Sequence, residues 1–243
     1  MLHKVLHGPT FSALRLDMTE GESILSQPGA MLAMTPGFAV EVKAGFHMEG
    51  ALGLGRGVRS LFGGESFFTV VYRSKRDDQH LVLAPEQMGE IHGLEVGPDS
   101  EFLLARGAFL ACSPDISFRL HNAGVHGVLA TRGLFFLKTV GSGTVFVTSY
   151  GGIIEQTLST GERFVLDNRN IVAFNAAMSF ESVVLAGSLK DSFLSGEGFV
   201  VRFTGPGRVL YQTRARPSRS ACGCRPALRV KELCGFFPGL NRT

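Results

Sequence analysis

One twenty-residue pattern occurs three times in this chain, and it restricts the fold more than any other feature. Gly161–Phe180 reads GERFVLDNRNIVAFNAAMSF, Gly21–Val40 reads GESILSQPGAMLAMTPGFAV, and Asp99–Phe118 reads DSEFLLARGAFLACSPDISF. Stacked without a gap, Ala33, Ala111 and Ala173 share one column. Leu32, Leu110 and Val172 share the column before it, and Met34, Cys112 and Phe174 the column after. A repeated apolar segment predicts three similar units, with the alanine column buried in each.

Each copy continues into a hairpin whose first strand is Ser66–Tyr72, Leu134–Val140 or Gly198–Thr204. In the third, Phe199, Val201 and Phe203 alternate with Val200, Arg202 and Thr204, the period of two that a strand requires. The turns Gly141-Ser142-Gly143 and Gly205-Pro206-Gly207 follow, and glycine suits them because it accepts positive φ without a Cβ clash. Return strands are expected at Leu81–Leu83, Val145–Val147 and Val209–Tyr211, and lead-in strands at Leu14–Met18, Leu94–Val96 and Ile153–Leu158. The units are then 8–86, 87–152 and 153–213, followed by a Pro/Ser/Gly/Arg-rich tail, 214–243, that reads as disordered. A unit of this size buries only about 60% of the surface its unfolded chain exposes, so it is marginal alone. Three fused units can close round a pseudo-threefold axis and hide their strand edges. The expectation is an all-β chain of three tandem sandwich-like repeats in that arrangement.

Charge is unevenly placed. The chain carries +3, but the tail from Arg214 holds seven Lys/Arg against Glu232 alone, leaving the body at −3. That body gives no reason to expect nucleic acid as a partner. Three of the four cysteines (Cys222, Cys224, Cys234) lie in the tail, a pattern that reads as a reducing compartment. No apolar run approaches the 18 or more residues of a spanning helix. The N-terminus is a poor secretory signal, and the first β segment is expected to have started by about Phe11.

Candidate chemistry is sparse. Gly53-Leu54-Gly55-Arg56-Gly57 lacks the third glycine of a dinucleotide fingerprint, since position 58 is Val58. The same stretch is an insertion peculiar to copy one. Its Phe46, Leu52 and Leu54 are apolar, and Arg56 and Arg59 could meet anionic head groups, so it is the candidate membrane or partner contact. The plainer alternative is a flexible loop running into a short helix that covers the core. His121 and His126 stand five apart with His92 upstream, a poor ligand spacing, and read as solvated loop residues. Cys222, Cys224 and Cys234 supply three of the four ligands that structural zinc requires. Cys112 reads as core. Glu22, Ser100 and Glu162 recur beside matching turns, which points to duplicated turn chemistry. No catalytic, cofactor or metal residues are expected.

Gly63–Phe68 (GGESFF), Gly196–Phe199 (GEGF) and the FTGPG turn at Phe203–Gly207, in this order within a triplicated chain, resemble the altered-inheritance-of-mitochondria family. The resemblance covers about residues 10–213. It implies units like the subunit of the tryptophan RNA-binding attenuation protein, a mitochondrial biogenesis context for eukaryotic members, and no known activity or site residues to carry over. The charged Ser74–Gln79 hairpin and the tail depart from the family pattern. The reading that results is a non-catalytic assembly protein, mitochondrial by resemblance and otherwise cytoplasmic, acting on protein partners or a membrane surface and open to oligomerisation. Its rivals are a small-ligand or RNA-binding β module and a metal-dependent β-barrel enzyme.

Overall fold

The computed structural model describes residues 1–44, 68–122, 135–184 and 199–215. The described secondary structure is nineteen β-strands and one 3-10 turn, Asn168–Asn170. A first strand, β1 (Leu2–Leu6), precedes the repeats. Copy one supplies β2 (Ala13–Met18), β3 (Ser23–Ser26), β4 (Met31–Met34), β5 (Phe38–Ala44), β6 (Phe68–Ser74) and β7 (Gln79–Leu83). Copy two supplies β8 (Ile91–Val96), β9 (Phe102–Leu104), β10 (Phe109–Cys112), β11 (Ile116–Asn122), β12 (Phe135–Gly141) and β13 (Gly143–Thr148). Copy three supplies β14 (Ile153–Leu158), β15 (Arg163–Asp167), β16 (Ile171–Asn175), β17 (Ser179–Val184), β18 (Phe199–Thr204) and β19 (Gly207–Gln212). The chain is all-β.

Each copy divides its strands between two sheets, and neighbouring copies share a sheet. The strand orders are β1-β2-β7-β4, then β5-β6-β3-β10-β13-β8, then β11-β12-β9-β16-β19-β14, and finally β15-β18-β17. The two six-stranded sheets are joined across copies by β3 with β10 and by β9 with β16. In the first junction Ala111 faces Ser26 and Cys112 faces Leu25. In the second, Ala173 faces Leu104, Phe174 faces Leu103 and Asn175 faces Phe102.

Because these strands sit inside shared sheets, both their faces are covered. Leu110, Ala111 and Phe146 pack into the core of copy one, while Phe109, Cys112, Val145 and Val147 pack into that of copy two. Leu103, Phe136, Phe174 and Val209 belong to the third core, whereas Phe102, Leu104, Ala173 and Leu210 belong to the second. Strands buried on both faces need apolar residues at consecutive positions. That is why FLAC (Phe109–Cys112) and IVAF (Ile171–Phe174) show no alternation. The Gly141 turn confirms the backbone argument made from sequence: its φ is +109°, and a Cβ there would run into the Asp115 carbonyl.

The same bulge interrupts all three copies. Register shifts between Met31 and Ala33, between Phe109 and Ala111, and between Ile171 and Ala173, so Leu32, Leu110 and Val172 are the extra residues. The conserved two-column signature of the repeat is therefore a bulge followed by a small residue.

The structure departs from the sequence reading or goes beyond it at three points, each for an identifiable reason. First, Ala33 is exposed, whereas Ala111 and Ala173 are fully buried. The three register shifts fall in one column, but copy one has no preceding copy to lie over its own bulge. Second, among the described residues β4 pairs only with β7 and β15 only with β18, so the equivalent pairing of β4 with β15 is not made. Third, structure starts well before Phe11, because β1 runs antiparallel to β2 from Leu2↔Asp17 to Leu6↔Ala13.

The burial difference yields a direct test. Ala111→Asp and Ala173→Asp place an unpaired carboxylate in a closed core, and should each cost about 3–5 kcal/mol. Ala33→Asp should change stability by about 0.5 kcal/mol or less, as surface substitutions do. Thermal melts of dilute protein separate these outcomes, and equal damage at all three sites would mean that β4 is covered.

Candidate functional site

Among the described residues, four sheets leave eight edge strands: β1, β4, β5, β8, β11, β14, β15 and β17. Proteins usually guard such edges with charge. Lys4, Glu41, Glu95, Arg119, Glu155, Arg163 and Glu181 place a charged residue on seven of them. Only β4, reading Met31-Leu32-Ala33-Met34, carries none. Its side chains are also in the open: Leu32 is 65% exposed, against 0% for Leu110 and 1% for Val172.

The backbone holds β4 in place despite that exposure. Ala84 donates its N–H to the Ala30 carbonyl at 2.8 Å, and Thr35 donates to His80 at 3.0 Å, pinning both ends to β7. Gln79 Oε1 accepts from Thr35 Oγ1 at 2.7 Å and from the Gly37 N–H at 3.0 Å. At the other end of the chain, β15 is equally well anchored. Glu162 Oε2 accepts the Ser159 N–H at 2.8 Å before the strand, and Asp167 Oδ1 accepts the Arg169 N–H at 2.8 Å after it. Between them Val165 is 42% exposed, although its counterparts Leu25 and Leu103 are buried.

The candidate contact residues taken from the sequence, Phe46, Leu52, Leu54, Arg56 and Arg59, lie outside the described residues, as do Gly53–Gly57. So do His126 and the tail cysteines. His92 stands 4.0 Å from Glu155, whose other oxygen accepts from Arg208 at 3.1 Å. His121 packs beside the Phe180 ring at 6.2 Å, where burial and then the nearby Lys138 charge hold its pKa below the usual imidazole value. Among the described residues no three His, Cys, Asp or Glu side chains stand together as a metal site would need. The glutamate column does turn chemistry: Glu22 accepts the Thr19 N–H at 2.9 Å in the geometry that Glu162 repeats with Ser159. No local signal marks the edges themselves, because β4 is as apolar as its buried counterparts β10 and β16.

The pattern of the mitochondrial biogenesis AIM24 family matches residues 3–214. The chain belongs to that family. An uncharacterized protein of Streptococcus pyogenes serotype M6 is 31% identical over 209 residues, which make up 84% of this chain and 82% of the relative. A crystal structure of a Streptococcus pyogenes protein superposes with a TM-score of 0.67 at 29% identity, covering 88% of this chain and 94% of the other. The family match embraces all three copies, the two junctions and both unpaired edges.

Cys112 offers a check on the packing around the first junction. Burial alone pushes its thiol far above the usual range. A raised folded-state pKa favours the neutral form, so its contribution to stability is complete below about pH 8.5, the ordinary thiol value, and declines as pH rises beyond it. Native protein treated with iodoacetamide at pH 8 should leave the Cys112 peptide unlabelled, with full labelling only in denaturant. Labelling of the native state would show that the core of copy two opens.

Proposed function

We propose that the chain is a non-catalytic assembly protein of its family, acting through exposed surfaces on protein partners or on a membrane. The observation that supports this is the uncharged β4 edge, where Met31, Leu32 and Met34 are each more than a third exposed. An apolar strand with free backbone groups on one side binds by adding a strand, and its side chains supply the specificity. Val40 and Val42 on β5, 47% and 68% exposed, extend the apolar surface of copy one. The family description points to mitochondrial biogenesis, and we place the protein in that setting in organelle-bearing cells and in the cytoplasm otherwise. Surface-mediated assembly suits both.

Photo-cross-linking tests the reading directly. A photoreactive side chain at Leu32 should give discrete adducts in the native cell, and the same group at the exposed Asp17 on β2 of the same sheet should give few. Equal labelling at both positions, or none at Leu32, would count against it. For the membrane arm, intact protein should sediment with cardiolipin-containing liposomes, and deletion of residues 47–56 should abolish this while leaving the melting profile unchanged. Apolar burial must supply most of that affinity, since Arg56 and Arg59 add about 1 kcal/mol each near an anionic surface. Failure of the intact protein to sediment would eliminate the membrane arm.

A further inference from the structure

We infer that β4 of one chain pairs with β15 of a second copy of the same chain, assembling copies head to tail. This rests on the surface-acting reading and names the partner of that surface. Its warrant is inside the molecule, which makes the equivalent junction twice.

The two edges are matching halves of a joint. By repeat alignment β4 corresponds to β10 and β16, and β15 corresponds to β3 and β9. Both internal junctions predict one register. Ala111↔Ser26 and Ala173↔Leu104 translate to Ala33↔Leu166, and Cys112↔Leu25 and Phe174↔Leu103 translate to Met34↔Val165. Asn175↔Phe102 adds Thr35↔Phe164. The hydrogen bonds agree as well. The Gln27 N–H donates to Leu110 at 2.8 Å and the Ala105 N–H donates to Val172 at 2.8 Å, so the Asp167 N–H of one copy would meet the Leu32 carbonyl of the next.

Exposure points to the same joint. Leu110 and Val172 are buried because a neighbouring copy covers them, and Leu25 and Leu103 because they reach the next core. Leu32 and Val165 occupy those two roles at the chain's ends and are exposed. Docking would bury both at once and merge the outer sheets into a single one of order β1-β2-β7-β4 with β15-β18-β17 of the second copy. Because the two surfaces differ, the contact is heterologous and builds a ring or a filament, according to whether the rotation closes.

The test uses full-length chains in which Cys222, Cys224 and Cys234 are replaced by serine. One chain carries Met34→Cys, and a second, fused to a larger tag, carries Val165→Cys. Mixed under mild oxidation, they should give one cross-linked species at the summed mass, and neither chain alone should cross-link. A chain with both substitutions that forms only an internal disulfide would overturn the proposal in favour of ring closure within one chain. Absence of any cross-link would overturn it too. If Leu32 still gave cellular adducts with other proteins in that case, the surface-acting reading would stand without the self-assembly. Light scattering gives an independent readout. Mass should rise with concentration for the parent, Ala33→Asp and Val165→Asp should each be monomeric with near-parental melting, and added Ala33→Asp should shorten parental assemblies because its β15 remains competent. Unchanged assembly by both variants would contradict the register.

Discussion

Everything in this fold depends on backbone pairing across the copies, β3 with β10 and β9 with β16. Those contacts are short, two and three facing residues respectively. Their consequence is large, because they turn half-sheets into six-stranded sheets whose two faces can serve different cores. A single copy of about 60 residues could not bury enough surface to be robust alone. Sharing strands solves this by lending each core a wall from its neighbour. The core of copy two takes Leu25 and Val71 from copy one and Val172, Ala173 and Leu210 from copy three.

An internal repeat gives equal sequence to unequal positions, and the ends show the result. The bulged residue is a core side chain in copies two and three, and surface in copy one. The central residue of the β3-type strand is core in copies one and two, and surface in copy three. Duplication copied the joint three times, but the described structure makes it twice. What is left over is one unmatched half at each end, and the candidate site consists of those halves. The absence of charge on β4 distinguishes it from the other edges, since β15 carries Arg163 and Asp167 at its limits.

Much of the architecture was legible because it rests on local pattern. The return strands at Val145–Val147 and Val209–Tyr211 follow glycine turns, Leu81–Leu83 follows the charged Ser74–Gln79 hairpin, and the three fall within β13, β19 and β7. The strand β1 was not legible, since it is held by backbone pairing to β2 while Leu2 stays 76% exposed, leaving no buried face to pattern the sequence. The exposure of Leu32 was invisible for a different reason. MLAM, FLAC and IVAF are equally apolar, and only the presence of a neighbour decides which is core. Burial there is a property of topology, and one chain segment cannot encode it. The family resemblance, carried by Gly63–Phe68, Gly196–Phe199 and Phe203–Gly207, was readable and correct.

The central claim is that each core is completed by a strand from the adjacent copy. Leu25→Ala tests it most directly, because Leu25 is covalently part of copy one but packs in the core of copy two. Truncating a buried leucine costs about 2–5 kcal/mol, and native-state hydrogen exchange can locate the loss. The account predicts faster exchange in β8, β10 and β13, with β2 and β7 much less affected. Loosening confined to β2 and β7, with copy two unchanged, would contradict it.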